Sequence, residues 1–589
     1  MDATRKFFRE RESGEQTGAS GAASATKKPR MADDVTMEGD VGAIGERMDD
    51  VEDDEESEWW QHEDTLDPYH IEKFGEDLEY DEEIVSAGFT EWIPSDRDIN
   101  NAKWEELQLM KTFKVYHVRC RSEVADTHKG LTVKWVKQIR GDTVRMRLVG
   151  REFASGDARE DLYTAASTSN TERIVDILAC SWLKDKMIID AKNAYFHADE
   201  DELVYVTPPP EWIDRYLQNP AEWPVWHATW KPGKGQSGKH PDKSMSQASK
   251  QDVVWVLKKQ LYGRRKASRK FGEYLTMLLQ SHKFVRCPFL PQFYVRRAVQ
   301  TAESIVIEVH QDDLHLVGDT KELMALADSL SEGLMLKSSK PISTGMKYSH
   351  LKCERYELMD GTFIKCPDKH VRKMTKLWNL DGSGKAVDTP STMDLTKRDE
   401  TAELGDDDKA TYKTVNGICQ FVSKYRPDLH WTIKELGRKN GAPTEMCMKA
   451  QKRLVRYFKA TQDHGILLPR GCVIDKVTGV ADSDWAKDQE SRKSTSCGTV
   501  WINDYLAFSY SRTQSVVATS SGEAEWYAKV GVAVETLQIA RLLQWIGLKV
   551  NMELKGDSTA AAGIANPLGA GKMKHIEIKT LWLQRYTTS

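Results

Sequence analysis

The chain has 589 residues, 40% apolar and 30% charged, with a mean hydropathy of −0.58, which is enough for roughly three or four domains with true cores. No apolar run reaches about 18 residues and none follows the N-terminal Met1-Asp2-Ala3-Thr4-Arg5-Lys6, which excludes a membrane span and a secretory signal and predicts an intracellular protein, cytoplasmic, nuclear or both. The net charge of −6 hides an asymmetry: residues 31–100 hold 26 Asp and Glu against 3 Lys and Arg, residues 1–30 carry +3, and residues 101–589 therefore carry +14, the sign expected of a nucleic-acid-binding body behind an acidic leader.

Residues 1–91 read as that leader, disordered because its Gly/Ala/Ser-rich start and its Asp/Glu block around 51–58 bury too little apolar surface to offset ordering entropy. Order is expected from Trp92 or Trp104, where Trp104, Leu107 and Met110 recur at helical spacing. Alternating residues at 132–139 and 143–149 predict two strands, and 171–184 predict a buried helix leading to a strand that ends at Asp190. Residues 213–252, rich in Trp, Pro, Gly, Lys and Ser, read as a long loop or insertion. Within it Gly233-Lys234-Gly235-Gln236-Ser237-Gly238-Lys239 approaches a phosphate-binding loop, but His240 stands where a Ser or Thr must hold the cation and Pro241 hinders the helix that should follow. Residues 258–270 pack seven cations around Tyr262 and Gly263, a pattern for phosphate contact or for a solvated helix face.

The apolar runs 304–309 and 314–318 predict a hairpin with Asp312 and Asp313 at its turn. Adjacent acids at a turn are also ordinary solvated loop chemistry. Convergence with Asp190 changes the balance, since each like-charge pair at ~4 Å costs roughly 4 kcal/mol at an effective dielectric near 20, so three gathered carboxylates call for Mg²⁺ or Mn²⁺. Helical spacing dominates 411–438 and 442–461, strands return over 474–519, and 523–545 form a long amphipathic helix. Nine cysteines with no C-x-x-C pair argue against a disulfide framework and a zinc knuckle.

Taken in order, Val133 to Lys137, Arg147 to Arg151, Asp190 to Tyr195, Val204-Tyr205-Val206 before Pro208-Pro209-Pro210, Leu261-Tyr262-Gly263, Asp312-Asp313, Arg426-Pro427-Asp428, Ala481 to Ala486, Ser520 to Glu525, Asp557-Ser558 and Lys574 to Ile578 resemble the reverse transcriptase and ribonuclease H regions of a copia-type LTR-retrotransposon Pol polyprotein. The resemblance implies an α+β fold: a right-hand polymerase with fingers and palm over 92–345, thumb and connection over 346–473, and an RNase H-like domain over 474–589. It implies an RNA-directed DNA polymerase with RNA–DNA hybrid ribonuclease activity, acting on RNA template, DNA primer, hybrid duplex and dNTPs with two Mg²⁺ or Mn²⁺ per site. Further partners would be a second copy or retrotransposon particle proteins, with no membrane. The alternative is a catalytically decayed remnant that only binds nucleic acid.

The same resemblance assigns Asp190, Asp312 and Asp313 to the polymerase metals and Asp482, Glu525, Asp557 and Glu577 to the nuclease metals, with His575 as a proton shuttle. It makes Tyr195 a gate against the ribose 2′-hydroxyl and places Arg145, Arg147, Arg151, Tyr262, Gly263, Arg264 and Arg265 against nucleotide or template. Two departures stand out. His310-Gln311 replaces the usual aromatic and small residue before the Asp pair, and Arg264 to Ser268 replaces the usual Leu-Lys-Gln-Ala-Pro. Integrase, protease and zinc-knuckle regions are absent, which predicts a separately translated piece or a decayed insertion.

Overall fold

The computed structural model describes residues 35–37, 93–124, 126–140, 142–153, 168, 170–218, 253–297, 304–382, 386–566 and 578–587. Of the acidic leader it describes Val35–Met37, a short strand β1, so the expectation of disorder otherwise lies outside the described residues. Helix α1 (Asp96–Thr112) starts at Ser95, whose hydroxyl accepts from the Asp98 N–H while the Asp98 carboxylate accepts from the Ser95 N–H. Strands β2 (Tyr116–Cys120) and β3 (Lys129–Leu131) follow. The alternating segment then folds as expected into the antiparallel pair β4 (Val133–Arg140) and β5 (Thr143–Gly150).

Helix α2 (Ile174–Trp182) is buried almost throughout and ends at Leu183, which takes the left-handed conformation at φ 58° and turns the chain into β6 (Asp185–Ala191). After β7 (Val204–Val206), the start of the expected 213–252 loop is helical instead: α3 (Pro210–Gln218) begins on the triple proline. Burial of Ile213 and Tyr216 and stacking of Trp212 on Tyr216 at 4.6 Å give this segment an apolar face that its loop-like composition obscured. The rest of that segment, including the phosphate-loop look-alike, lies outside the described residues.

Next come β8 (Val253–Leu257), α4 (Ala267–Ser281), β9 (Val285–Arg286), β10 (Phe293–Arg296), β11 (Ile305–His310), β12 (Asp313–Gly318), α5 (Thr320–Leu330) and β13 (Leu336–Ser338). These make two sheets, ordered β2-β8-β7-β3 and β13-β6-β12-β11-β10-β9. A third, β14-β15-β16-β17, joins β14 (Lys347–His350), β15 (Cys353–Leu358) and β16 (Gly361–Lys365) to the distant β17 (Gly465–Pro469). Between β16 and β17 lie α6 (Asp368–Leu377), α7 (Asp406–Ser423), α8 (His430–Arg438) and α9 (Glu445–Ala460), which share one apolar core.

The last sheet runs β1-β21-β18-β19-β20, with β18 (Lys476–Ser483), β19 (Thr495–Ile502) and β20 (Tyr505–Thr513) antiparallel, and β21 (Asn551–Lys555) parallel to β18. Helix α10 (Ser521–Ile546) crosses this sheet and α11 (Thr559–Ala565) follows it. Its core is continuous with α2, β10 and β17 through Ile177, Leu178, Val295 and Leu468.

A buried ionic network joins α2 to the second and third sheets. Asp176 accepts from Arg355 Nε at 2.8 Å, from Tyr348 Oη at 2.7 Å and from Lys186 Nζ at 3.2 Å, and Lys186 also reaches Glu357 at 2.5 Å and Thr362 at 2.9 Å. Burial alone would raise the Asp176 carboxyl, but Arg355 and Lys186 hold it well below the usual carboxylate range. The sequence signal was a charged residue inside an apolar run, Asp176 between Val175 and Ile177.

Candidate active sites

The first acidic cluster is set by strand register. In the β12–β6 pair Asp313 lies directly opposite Asp190, and Asp312, in the tight turn after Gln311 (φ 57°), gives its carbonyl to the Ala191 N–H at 2.9 Å. All three side chains are half-buried. Burial, then the charges of Asp312 and Asp190, pushes Asp313 up to about 6; burial and Asp190 likewise raise Asp312, with Arg147 and Arg145 opposing. That repulsion is what a divalent cation would relieve, so the donor set fits Mg²⁺ or Mn²⁺.

Beside these acids β5 presents Arg145 and Arg147 on one face while Met146 and Leu148 are buried on the other. Arg145 donates to Asn193 Oδ1 at 3.1 Å, and Arg147 lies 4.7 Å from the centre of the Tyr262 ring. Tyr195, half-buried, lies 5.0 Å from Tyr262, and burial pushes the Tyr262 hydroxyl up to about 12. Gly263 is required by backbone geometry: its φ is +80° and an added Cβ would stand 2.1 Å from the Gly150 carbonyl oxygen, in the loop closed by the Gly150 N–H to Tyr262 carbonyl bond of 2.7 Å. Sequence reading missed Glu106, which burial pushes up to about 7 against the opposing Arg145 and Arg147. It shares the four-residue spacing of the buried Ala102 and Met110.

The basic stretch is largely spent within the protein. Arg264 is buried and ion-paired to Glu152 at 2.7 Å, Glu200 at 2.9 Å and Glu202 at 2.7 Å, so its charge is met within the fold. Lys259 pairs with Asp199, Lys266 with Glu202, and Lys270 with Asp201 and Glu273. The cause is the run Asp199-Glu200-Asp201-Glu202, which folds alongside the cations. Arg265 is half-buried with its N–H on Glu152 at 2.9 Å, and Arg151 is exposed, 5.5 Å from the Phe153 ring.

The second acidic cluster gathers Asp482 near the end of β18, Glu525 in the first turns of α10 and Asp557 just after β21, with ligand oxygens all within 4.8 Å of one another. Ser520 caps the helix that carries Glu525, its hydroxyl accepting from the Glu523 N–H at 3.2 Å. Glu525 is buried, takes the Ser483 N–H at 3.2 Å on one oxygen, and has no hydrogen-bond partner on the other, which fits a cation held there. Burial and the neighbouring carboxylates raise both Asp482 and Glu525. A residue the sequence reading did not single out, Lys529, lies one turn beyond Glu525, buried, its ammonium lowered by burial despite Glu525 and Asp557. Glu577 and His575 lie outside the described residues.

No family model matches the chain. Among curated proteins it is similar to the retrovirus-related Pol polyproteins from transposons RE2 and RE1 of Arabidopsis thaliana, at 24% identity over 395 residues and 25% over 402, each covering 66% of this chain. It is also similar to that from transposon TNT 1-94 of Nicotiana tabacum, at 23% over 511 residues and 83% of this chain. The chain spans 24% of the length of the two Arabidopsis relatives and 35% of the tobacco one. Among the described residues no helix is long and apolar enough to cross a membrane. With both acidic clusters falling on motifs in the expected order, the chain is similar to the copia-type, retrovirus-related Pol polyproteins of transposons.

Proposed function

We propose that the chain is an RNA-directed DNA polymerase with ribonuclease H activity, built as a right-hand polymerase followed by an RNase H-like unit, which copies retrotransposon RNA into DNA. The observation that carries the reading is the register of Asp190 against Asp313, with Asp312 beside them and the Arg145–Arg147 face nearby. Asp190, Asp312 and Asp313 would hold two Mg²⁺ or Mn²⁺, which supply charge stabilisation for joining a primer 3′-hydroxyl to an α-phosphate. Arg145 and Arg147 bind the triphosphate of the incoming dNTP, Tyr262 orients Arg147 through its ring face, and Tyr195 occupies the space a 2′-hydroxyl would need.

The mixed sheet β21-β18-β19-β20 under α10 supports the nuclease half of the reading, with Asp482, Glu525 and Asp557 as ligands and the RNA strand of a hybrid as substrate. Neutralisation of the 258–270 stretch weakens the alternative of a purely nucleic-acid-binding remnant, since the cations that such a groove would use are paired inside the fold. The test is primer extension on poly(rA)–oligo(dT) with dTTP, run beside cleavage of a labelled RNA–DNA hybrid, with Mg²⁺ and with Mn²⁺. Extension and cleavage both dependent on the ion are the expected result; neither activity with either ion would overturn the reading.

A further inference from the structure

A third ligand group lies away from both acidic clusters. Glu308 on β11 stands directly opposite His315 on β12, and His350, at the end of β14, brings its ring from the neighbouring sheet to 4.4 Å from the His315 ring centre. One ligand atom from each of the three lies within 4.8 Å of the other two. All three side chains are buried: Glu308 is 1% exposed, His315 0% and His350 4%. Both ring nitrogens of His315 and Nε2 of His350 have no hydrogen-bond partner. The nearest charged atom to His315 given by an ion pair is Asp176 Oδ1, at 3.7 Å and already engaged by Lys186 and Tyr348.

An imidazole nitrogen left unpaired in the interior is costly, and here one ligand nitrogen from each ring converges with a carboxylate. We propose that Glu308, His315 and His350 form a buried site for a borderline divalent transition metal, zinc in the first instance, that pins the hairpin carrying Asp312 and Asp313 to the β14–β15 sheet. The donor chemistry suits zinc: two neutral imidazoles and one carboxylate, the fourth position left to a water. The Thr171 hydroxyl, donating to Glu308 Oε1 at 3.4 Å, supplies the outer contact that orients a ligating carboxylate. Lys186 and Arg355 do not oppose the ion alone, because Asp176 and Glu357 answer their charges. Mg²⁺ is the wrong ion for this set, being hard, octahedral and reluctant to shed water.

The test refolds the full chain with zinc or with cobalt(II) in its place, removes loose metal by gel filtration, and reads bound metal by mass spectrometry and cobalt by its visible d–d bands. The carrier of the test is the double variant Asp312→Asn, Glu525→Gln, which disables both acidic clusters. It should retain one tightly held equivalent with intense bands typical of four- or five-coordination. Adding His315→Leu to it should remove that equivalent and the bands, while the metal-free protein keeps its circular dichroism and a melting temperature at least as high, since an unpaired imidazole has been replaced by an apolar side chain of the surrounding strand. No bound equivalent in the double variant, or bands unchanged by His315→Leu, would overturn the proposal and leave a histidine pair bridged by buried water.

Discussion

The two acidic clusters are assembled in different ways. Asp190, Asp312 and Asp313 are neighbours because two strands pair in one register, so their spacing is fixed by the ladder itself. Asp482, Glu525 and Asp557 come from a strand end, a capped helix start and a loop after another strand, and are drawn within 4.8 Å by the packing of α10 on its sheet. The first cluster has arginines beside it on β5; the second has the buried Lys529. A register-built cluster tolerates little, since a one-residue slip turns its acids to the other face, whereas a packing-built cluster depends on the caps and core that hold three elements together.

The largest expected effect tests whether the clusters are independent. Asp312→Asn should reduce primer extension on the order of 10³-fold, several kcal/mol of transition-state stabilisation, and leave hybrid-RNA cleavage intact. Glu525→Gln should do the reverse, with extension on a DNA template unchanged. Loss of both activities in either variant, with altered circular dichroism, would show instead that the clusters share one folding unit.

Next in size is Arg264→Ala, which leaves Glu200 buried without its cation and Glu152 with Lys129 alone, and should cost roughly 3 kcal/mol in denaturant unfolding. Arg147→Ala should cost well under half of that in stability yet raise the KM for dTTP; a Km effect in Arg264→Ala without lost stability would return Arg264 to the nucleotide.

Asp313→Asn tests the charge strain of the register-built cluster in metal-free protein. Because its carboxyl is raised to about 6, folding favours the protonated form, and the cost appears as pH rises from the unfolded value near 4 and is complete above the folded one. The variant should therefore be more stable than the parent by about 2 kcal/mol at pH 8 and no more stable at pH 3.5. Parallel stability profiles would show that Asp313 is solvated. The smallest effect is Tyr195→Ala, expected to improve incorporation of UTP relative to dTTP by roughly tenfold, about 1.4 kcal/mol; equal change for both nucleotides would make Tyr195 a core residue.

Local pattern carried most of this legibility. The β4–β5 pair was readable from its alternation and α10 from its helical spacing, and the Asp312–Asp313 hairpin and α2 from continuous apolar runs. What escaped was pairing across long stretches of chain. Nothing in residues 258–270 signals that residues 199–202 will fold beside them and consume their charge, and the composition of 213–252 hid the helix at its start. Asp176 and His315 each interrupt an apolar run, a visible anomaly whose partners only tertiary structure supplies, whereas Lys186 and Arg355 stand among charged neighbours and carry no such mark.

One contact bears on how such a chain can be cut. Arg173, at the start of α2, is buried with its guanidinium donating to the carbonyls of Leu506 and Ala507 on β20 at 3.2 and 3.0 Å and to that of Lys424 after α7. Together with the core running from Ile177 to Leu543, this makes the last sheet part of the same body as the support of the Asp312–Asp313 hairpin. A protease or an engineer severing the chain near residue 474 would not liberate an interchangeable cassette; the two fragments would stay clasped, and each, if pulled away, would bare a sticky apolar wall.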